Sequence, residues 1–484
     1  MVVSTGLPNA VVTGLVTGSI VAMGAIGLAL VYSIAEVPNF AHGELLTLGA
    51  FMALFANRPG TVPVFELLVP TGQQLSTGGQ VVLFLIAAGS VLGMVYMLGG
   101  WSALAGGWWP VDPPDTVGVG THLLLAILVG ALVVGGAPSI WSGILVATVI
   151  VGVVAPVTER VIFRKFRARN ATLATMLIVA LGLSLILRFG IQAIYGGASR
   201  TYAVPRTAEL AAGTLYLTAA KFADLYLTGS ALVFQLRDSG PPAPQGFNSV
   251  PVLTVEWSWV FVAIVLIGTV LAAAGAARWR RRAAEGYVAA QTFGPRIVGS
   301  VAGLGIFVVL AVLLAGSAAV PDGYAYGTRI RLFPLKLLIV IIAVAMMATL
   351  HLLLRETKLG TAMRASSDNL DLAKVTGINT DRVMMATWVI AGLFAGLSGV
   401  MLGLTLSRVQ VNIGFFLLLP MFAAVILGGI RSIYGVIVGS FVVGLAMDVG
   451  FTVLPVGNEF RVPIAFAVLF VVLLVKPEGI VGGS

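Results

Sequence analysis

An all-α protein that passes repeatedly through a membrane is the fold class this sequence predicts, and three observations predict it. Of its 484 residues, 58% are hydrophobic before its 59 glycines are counted, and only 10% are charged. Its apolar residues fall into 12 or 13 separate stretches, most of them near the roughly 20 residues that cross a bilayer. Its basic residues gather in short clusters between those stretches, as on the cytoplasmic side of membrane proteins. An ordinary soluble domain carries roughly 25% charged residues, and no globular core could hide this much apolar side chain. Soluble enzymes, nucleic-acid-binding domains and disordered chains are thereby excluded, despite a net charge of +9.

The expected spans, in order, are 11–32, 41–56, 81–98, 122–134, 140–157, 172–195, 259–276, 297–318, 335–354, 383–406, 415–427, 433–448 and 463–475. The first lacks a basic leader and runs straight into the second, which argues for a span and against a secretory signal. Stretches 41–56, 122–134 and 415–427 are short, and broken or re-entrant helices are expected there. Between spans, 106–120 is rich in turn residues and holds the interfacial pair Trp108 and Trp109. The long polar stretch 196–257, with Pro241, Pro242 and Pro244, is expected to be an external loop.

Orientation follows from lysine and arginine. Arg160, Arg164, Lys165, Arg167 and Arg169 make one cluster, and Arg278, Arg280, Arg281, Arg282 and Arg296 a second. Arg355, Lys358, Arg364, Lys374 and Arg382 make a third, and Arg431 and Lys476 join the same side, so 17 of the 28 basic residues lie on one face. With thirteen spans this puts the N-terminus outside and the C-terminus in the cytoplasm of a multi-pass cell-membrane protein. The cluster at Arg278–Arg282 reads as a positive-inside anchor, with contact to anionic lipid as the alternative.

Several chemistries are absent from the sequence. It has no cysteine, and His42, His122 and His351 are too scattered for a metal site. No lysine follows a glycine, so there is no phosphate loop, and neither Gly-x-Ser-x-Gly nor His-Glu-x-x-His occurs. No catalytic constellation, metal or cofactor is expected; any ATP would be hydrolysed by a partner.

The most informative polar segment joins spans 335–354 and 383–406. Ser367 or Asp368 is placed to cap a short helix, with Asp371 in its first turn, Lys374 near its end and Gly377 as its left-handed stop. Leu370, Ala373 and Lys374 share one face, with Leu372 and Val375 on others. Such a helix suits docking on another protein; a plain linker is the alternative the residues leave open. At Asn39-Phe-Ala-His42-Gly43-Glu44 a helix restarts after Pro38. Polar groups at that depth either line a translocation path or cap a broken helix, Asn39 as cap and Glu44 on the N-terminal dipole. Arg188, inside span 172–195, either pairs with an acid of another span or snorkels outward, the reading preferred from sequence. Asp448 is expected to be solvated at the outer end of its span. Gly392, Gly396, Gly399 and Gly403 make two Gly-x-x-x-Gly steps, the mark of close helix packing.

The segment Arg364–Asn379 resembles the Ala-x-x-x-Gly coupling loop of ABC-importer permeases, in the form found in the branched-chain amino-acid family. Gly377-Ile-Asn-Thr-Asp-Arg382, Ala391–Gly403, Asn39–Glu44, Ala424–Gly435 and Leu473–Gly479 match in the same order. Arg431 and Tyr434 stand where the family usually has Gly and Pro. The resemblance covers about 10–57, 140–205 and 335–482 of a single permease domain, with insertions at about 58–138 and 206–334, each adding a pair of spans. It implies a second, related permease subunit, two cytoplasmic ATPases and an external solute-binding protein, around a path opened by alternating access. Arg364, Asp368, Leu370, Asp371, Ala373, Lys374, Gly377 and Asn379 would form the ATPase contact. Urea or short amides are the alternative cargo, and an ATP-independent channel or carrier the alternative class; partners beyond these subunits are membrane lipids and no nucleic acid.

Overall fold

A computed structural model of the chain describes residues 6–37, 39–61, 77–104, 115–205, 207–210, 213–216, 221–227, 230–239, 249–284, 316–317, 326–430, 432–454 and 456–475. The chain divides into two compact units, one of Met1–Val12 with Arg206–Leu337 and one of Thr13–Pro205 with Leu338–Ser484.

The helices are α1 (Gly6–Ala35), α2 (His42–Asn57), α3 (Thr77–Leu104), α4 (Asp115–Gly136), α5 (Ile140–Thr158), α6 (Arg164–Arg167), α7 (Leu173–Tyr195) and α8 (Trp259–Ala284). Beyond them come α9 (Pro334–Glu356), α10 (Lys358–Asp368), α11 (Leu370–Val375), α12 (Thr380–Leu406), α13 (Ile413–Gly428), α14 (Ile433–Val453) and α15 (Arg461–Val475). Among the described residues, eight helices are long and apolar enough to cross a membrane. Helices α2, α8, α13 and α15 occupy four more of the expected stretches, so the all-α polytopic architecture stands. Expected span 297–318 lies outside the described residues except Gly316 and Ser317, which form a strand instead. Helix α4, 22 residues long, is a full-length helix and not the short segment expected. Helices α2 and α13, with 16 residues each, are indeed short: about 24 Å, less than the ~30 Å hydrocarbon layer.

The larger unit is built round α12, which is buried almost end to end between α2, α5 and α14's neighbours α1 and α13. Small residues make this possible. The Gly396 and Gly49 backbones meet directly, Gly392 faces the Val151 carbonyl of α5, and Gly399 faces the Leu46 carbonyl of α2. Gly403 lies under the Tyr202 ring, whose hydroxyl donates to the Ala50 carbonyl at 2.8 Å. The four glycines thus serve three partners and not one stripe. Helices α3 and α4 form a hairpin against α5, with Ala88, Val91, Ala126 and Val149 at its centre. The first basic cluster is helical where a loop was expected: after Pro156, α5 passes through a π-turn at Glu159–Phe163 into α6. Asp448 is buried and not solvated, because Thr17 Oγ1 donates to its Oδ2 at 2.6 Å and Arg461 pairs with Oδ1.

The smaller unit corrects the expected external loop. It contains a hairpin, β1 (Thr207–Leu210) with β2 (Gly213–Tyr216), and an antiparallel sheet ordered β6-β5-β4-β3-β7. The sheet strands are β3 (Lys221–Leu227), β4 (Ala231–Ser239), β5 (Ser249–Ser258), β6 (Gly316–Ser317) and β7 (Tyr326–Leu332). Period-two alternation in Ala231-Leu-Val-Phe-Gln-Leu is the local reason: Ala231 and Val233 are buried on one face with Gln235. Pro241, Pro242, Pro244, Trp108 and Trp109 lie outside the described residues. Arg278 continues α8, so this basic cluster begins on a helix and not in a loop.

Candidate functional site

Two polar regions in the larger unit gather the residues singled out in the sequence. The first lies deep in the helices, where α2 begins. Glu36, with φ +53°, turns the chain back from the end of α1. Asn39 Oδ1 accepts from the Ala41 amide at 3.1 Å, and His42 Nε2 lies 2.9 Å from the Gly24 carbonyl oxygen of α1. Gly43 and Gly414 bring the first turns of α2 and α13 into backbone contact, and Thr47 Oγ1 accepts from the Gly414 amide at 3.1 Å. A side chain at either glycine would separate the two short helices.

Glu44 is wholly buried. Its Oε1 receives Arg188 Nε at 2.9 Å, Arg188 Nη2, and Ser184 Oγ at 3.5 Å, all from α7. Glu44 therefore answers a specific cation and not the helix dipole alone, and Asn39 braces the turn before α2 without capping it. Arg188 does not snorkel. It is the sixteenth residue of α7, about 22 Å along a helix about 34 Å long. Its guanidinium lies 4.4 Å from the centre of the Phe415 ring. The sequence did carry the signal, since ionisable side chains at membrane depth pair with one another.

The second region lies between α9 and α12. Thr357 caps α10 by accepting from the Gly360 amide at 3.0 Å. Asn369, not Ser367 or Asp368, caps α11, accepting from the Leu372 amide at 2.9 Å; Asp368 is the last residue of α10, and Arg364 is exposed on it. Gly377, at φ +88°, ends α11, and Ile378 N donates back to the Ala373 carbonyl at 3.0 Å. Asn379 then caps α12 through the Arg382 amide at 3.1 Å. Three caps within eleven residues hold α11 rigidly in its turn.

The expected contact face is the covered one. Ala373 is only 3% exposed and packs α11 against α10 and α12, with Leu370 half-buried beside it. The free face carries Leu372, 61% exposed, and Val375, 85% exposed, with Asp371 and Lys374 paired alongside at 3.7 Å. Behind α11 lies a cleft of about 330 Å³ lined by Glu159, Arg164, Arg167, Leu370, Lys374 and Asp381. Arg164 bonds Asp381 at 2.9 Å, which ties α6 to the start of α12, and Arg167 pairs with buried Glu159 of the π-turn, which braces α6 against the end of α5. None of these four was singled out as a site residue; they stood in the sequence only as a basic cluster and two flanking acids.

Among the described residues, eight membrane-length helices, a buried ion pair between two helices and a capped polar helix between two spans define a multi-pass membrane protein. Residues 117–473 match the family described as "Branched-chain amino acid transport system / permease component", and the chain belongs to that family. It is similar to the high-affinity branched-chain amino acid transport system permease protein LivH of Escherichia coli (strain K12), 28% identical over 272 residues, covering 54% of this chain and 83% of LivH. It is similar also to BraD of Pseudomonas aeruginosa, a permease protein of the same description, 30% identical over 38% of this chain and 62% of BraD. The galactofuranose transporter permease protein YtfT of Escherichia coli (strain K12) is 26% identical over 66% of this chain and 75% of YtfT. No solved structure matches it significantly.

Proposed function

We propose that this chain is the membrane-spanning subunit of an ABC importer for branched-chain amino acids, moving its cargo by alternating access. Its partners are a second permease subunit, two cytoplasmic ATPases and an external solute-binding protein. The observation that carries the reading is α11, a helix stiffened by flanking caps that presents Leu372 and Val375 to solvent between two spans. An apolar pair held outward on a capped polar connection suits a face that a partner covers. The chain has no phosphate loop, so the energy enters through that partner. Closure of an ATPase pair would push on α11, and α11 is tied through Ala373 to α12 and across the Arg164–Asp381 bond to α6. Rigid helices then carry a movement of a few ångströms to the helices round Glu44. The positive-inside pattern supports a cytoplasmic α11 and an external N-terminus.

The test is purification of the tagged full-length chain from its own cells in mild detergent. An ABC-type ATPase is expected to co-purify in near-stoichiometric amount, and leucine uptake by those cells should stop when ATP is depleted. Absence of any ATPase, with uptake that survives ATP depletion, would make the chain a channel or carrier instead.

A further inference from the structure

We infer that Glu44 and Arg188 are the pair that recognises a zwitterionic substrate, Glu44 taking its ammonium group and Arg188 its carboxylate; this rests on the reading proposed above. A buried ion pair is a poor source of stability compared with an apolar pair of the same size, and charges at membrane depth are retained mainly for function. This pair is also incompletely satisfied. The Arg188 and Ser184 donors crowd onto Glu44 Oε1, while Oε2 is buried and has no hydrogen-bond partner among the described residues. Asn39 Nδ2, in the segment leading into α2, is likewise buried and unpartnered. Arg188 keeps 17% of its side chain exposed, whereas Glu44 keeps none.

The pair sits at the starts of two short helices, with Glu44 in the first turn of α2 and Phe415 of α13 against the guanidinium. An amino acid carries the same two charges a short distance apart, so it can replace each partner of the pair by its own opposite group. Both states are neutral overall. When the site is empty, Glu44 and Arg188 close on each other, and no net charge is left within the membrane. Phe415, already stacked on the guanidinium, offers an apolar wall for an aliphatic side chain.

The experiment uses the complete transporter reconstituted in proteoliposomes with ATP inside and [14C]leucine outside. E44Q and R188Q should each lose uptake. The deciding variant is E44Q/R188Q, which removes both charges and leaves none unpaired. It should insert and hold its ATPase as the wild type does, yet import leucine at less than about a tenth of the wild-type rate. Uptake by E44Q/R188Q within about twofold of wild type would show a purely structural pair and overturn the inference. R188K keeps the charge but loses the planar fork; it should raise the KM for leucine roughly tenfold with kcat little changed, and an unchanged KM overturns the inference even where the double variant fails to insert. A wild-type complex that imports no leucine at all would overturn the substrate reading itself, and this inference with it.

Discussion

Replacing Leu372 and Val375 together by Asp should abolish ATPase binding and uptake while leaving the chain folded in the membrane. Both side chains point away from the protein, at 61% and 85% exposure, so the substitution breaks no internal contact. Within a docked interface the two carboxylates would be desolvated without partners, costing about 1–3 kcal/mol or more each. Two such penalties correspond to an association weaker by about thirtyfold or more. Ala373→Asp should behave differently. Ala373 faces its own chain, so a carboxylate there would loosen α11 itself, and the variant should lose thermal stability as well as ATPase. A pull-down compared with a melting curve in detergent separates the two. Equal ATPase recovery with L372D/V375D and the wild type would mean that α11 is only a linker.

Gly399→Val should be the most damaging single change in the membrane region. The α2 backbone at Leu46 passes directly against Gly399, where a side chain has no room. Overpacking a well-fitted core costs about 1–3 kcal/mol, and more where the obstacle is backbone and not a movable side chain. Since α2 also carries Glu44, separation of α2 from α12 should displace the ion pair too. The expected result is little protein in the membrane, and loss of uptake in whatever inserts. Gly182→Val, on a face of α7 with open space, is the control and should be tolerated. Normal uptake by Gly399→Val would contradict the packing described here.

The helical framework was legible in the sequence because lipid makes the burial of apolar residues nearly independent of tertiary detail. Twenty apolar residues announce a span whatever surrounds them. The sheet at 207–332 was not legible by that route: its strands are short and half-polar, and a search for spans passes over them. The short helix between α9 and α12 was legible down to its Gly377 stop, since caps are local chemistry. Its cap was displaced by one or two residues to Asn369, and its outward face was misread, because a wheel of six residues does not say which side the protein covers. Arg188 and Asp448 failed for a shared reason. Each is the sixteenth residue of its helix, a position that alone names no partner, and only the fold shows Glu44 and Arg461 waiting opposite.

The central claim is that α11 is the physical contact with the ATPase, and the chain's lack of cysteine offers a direct measurement. A single cysteine at Leu372, in membranes of cells expressing the whole transporter, should form a cross-link to the ATPase with a short bismaleimide. The same reagent should give no such product from a cysteine at Leu454, at the opposite end of α14's span and 49% exposed. A cross-link from Leu454 but not from Leu372 would place the ATPase on the other face of the membrane and contradict both the orientation and the coupling role of α11.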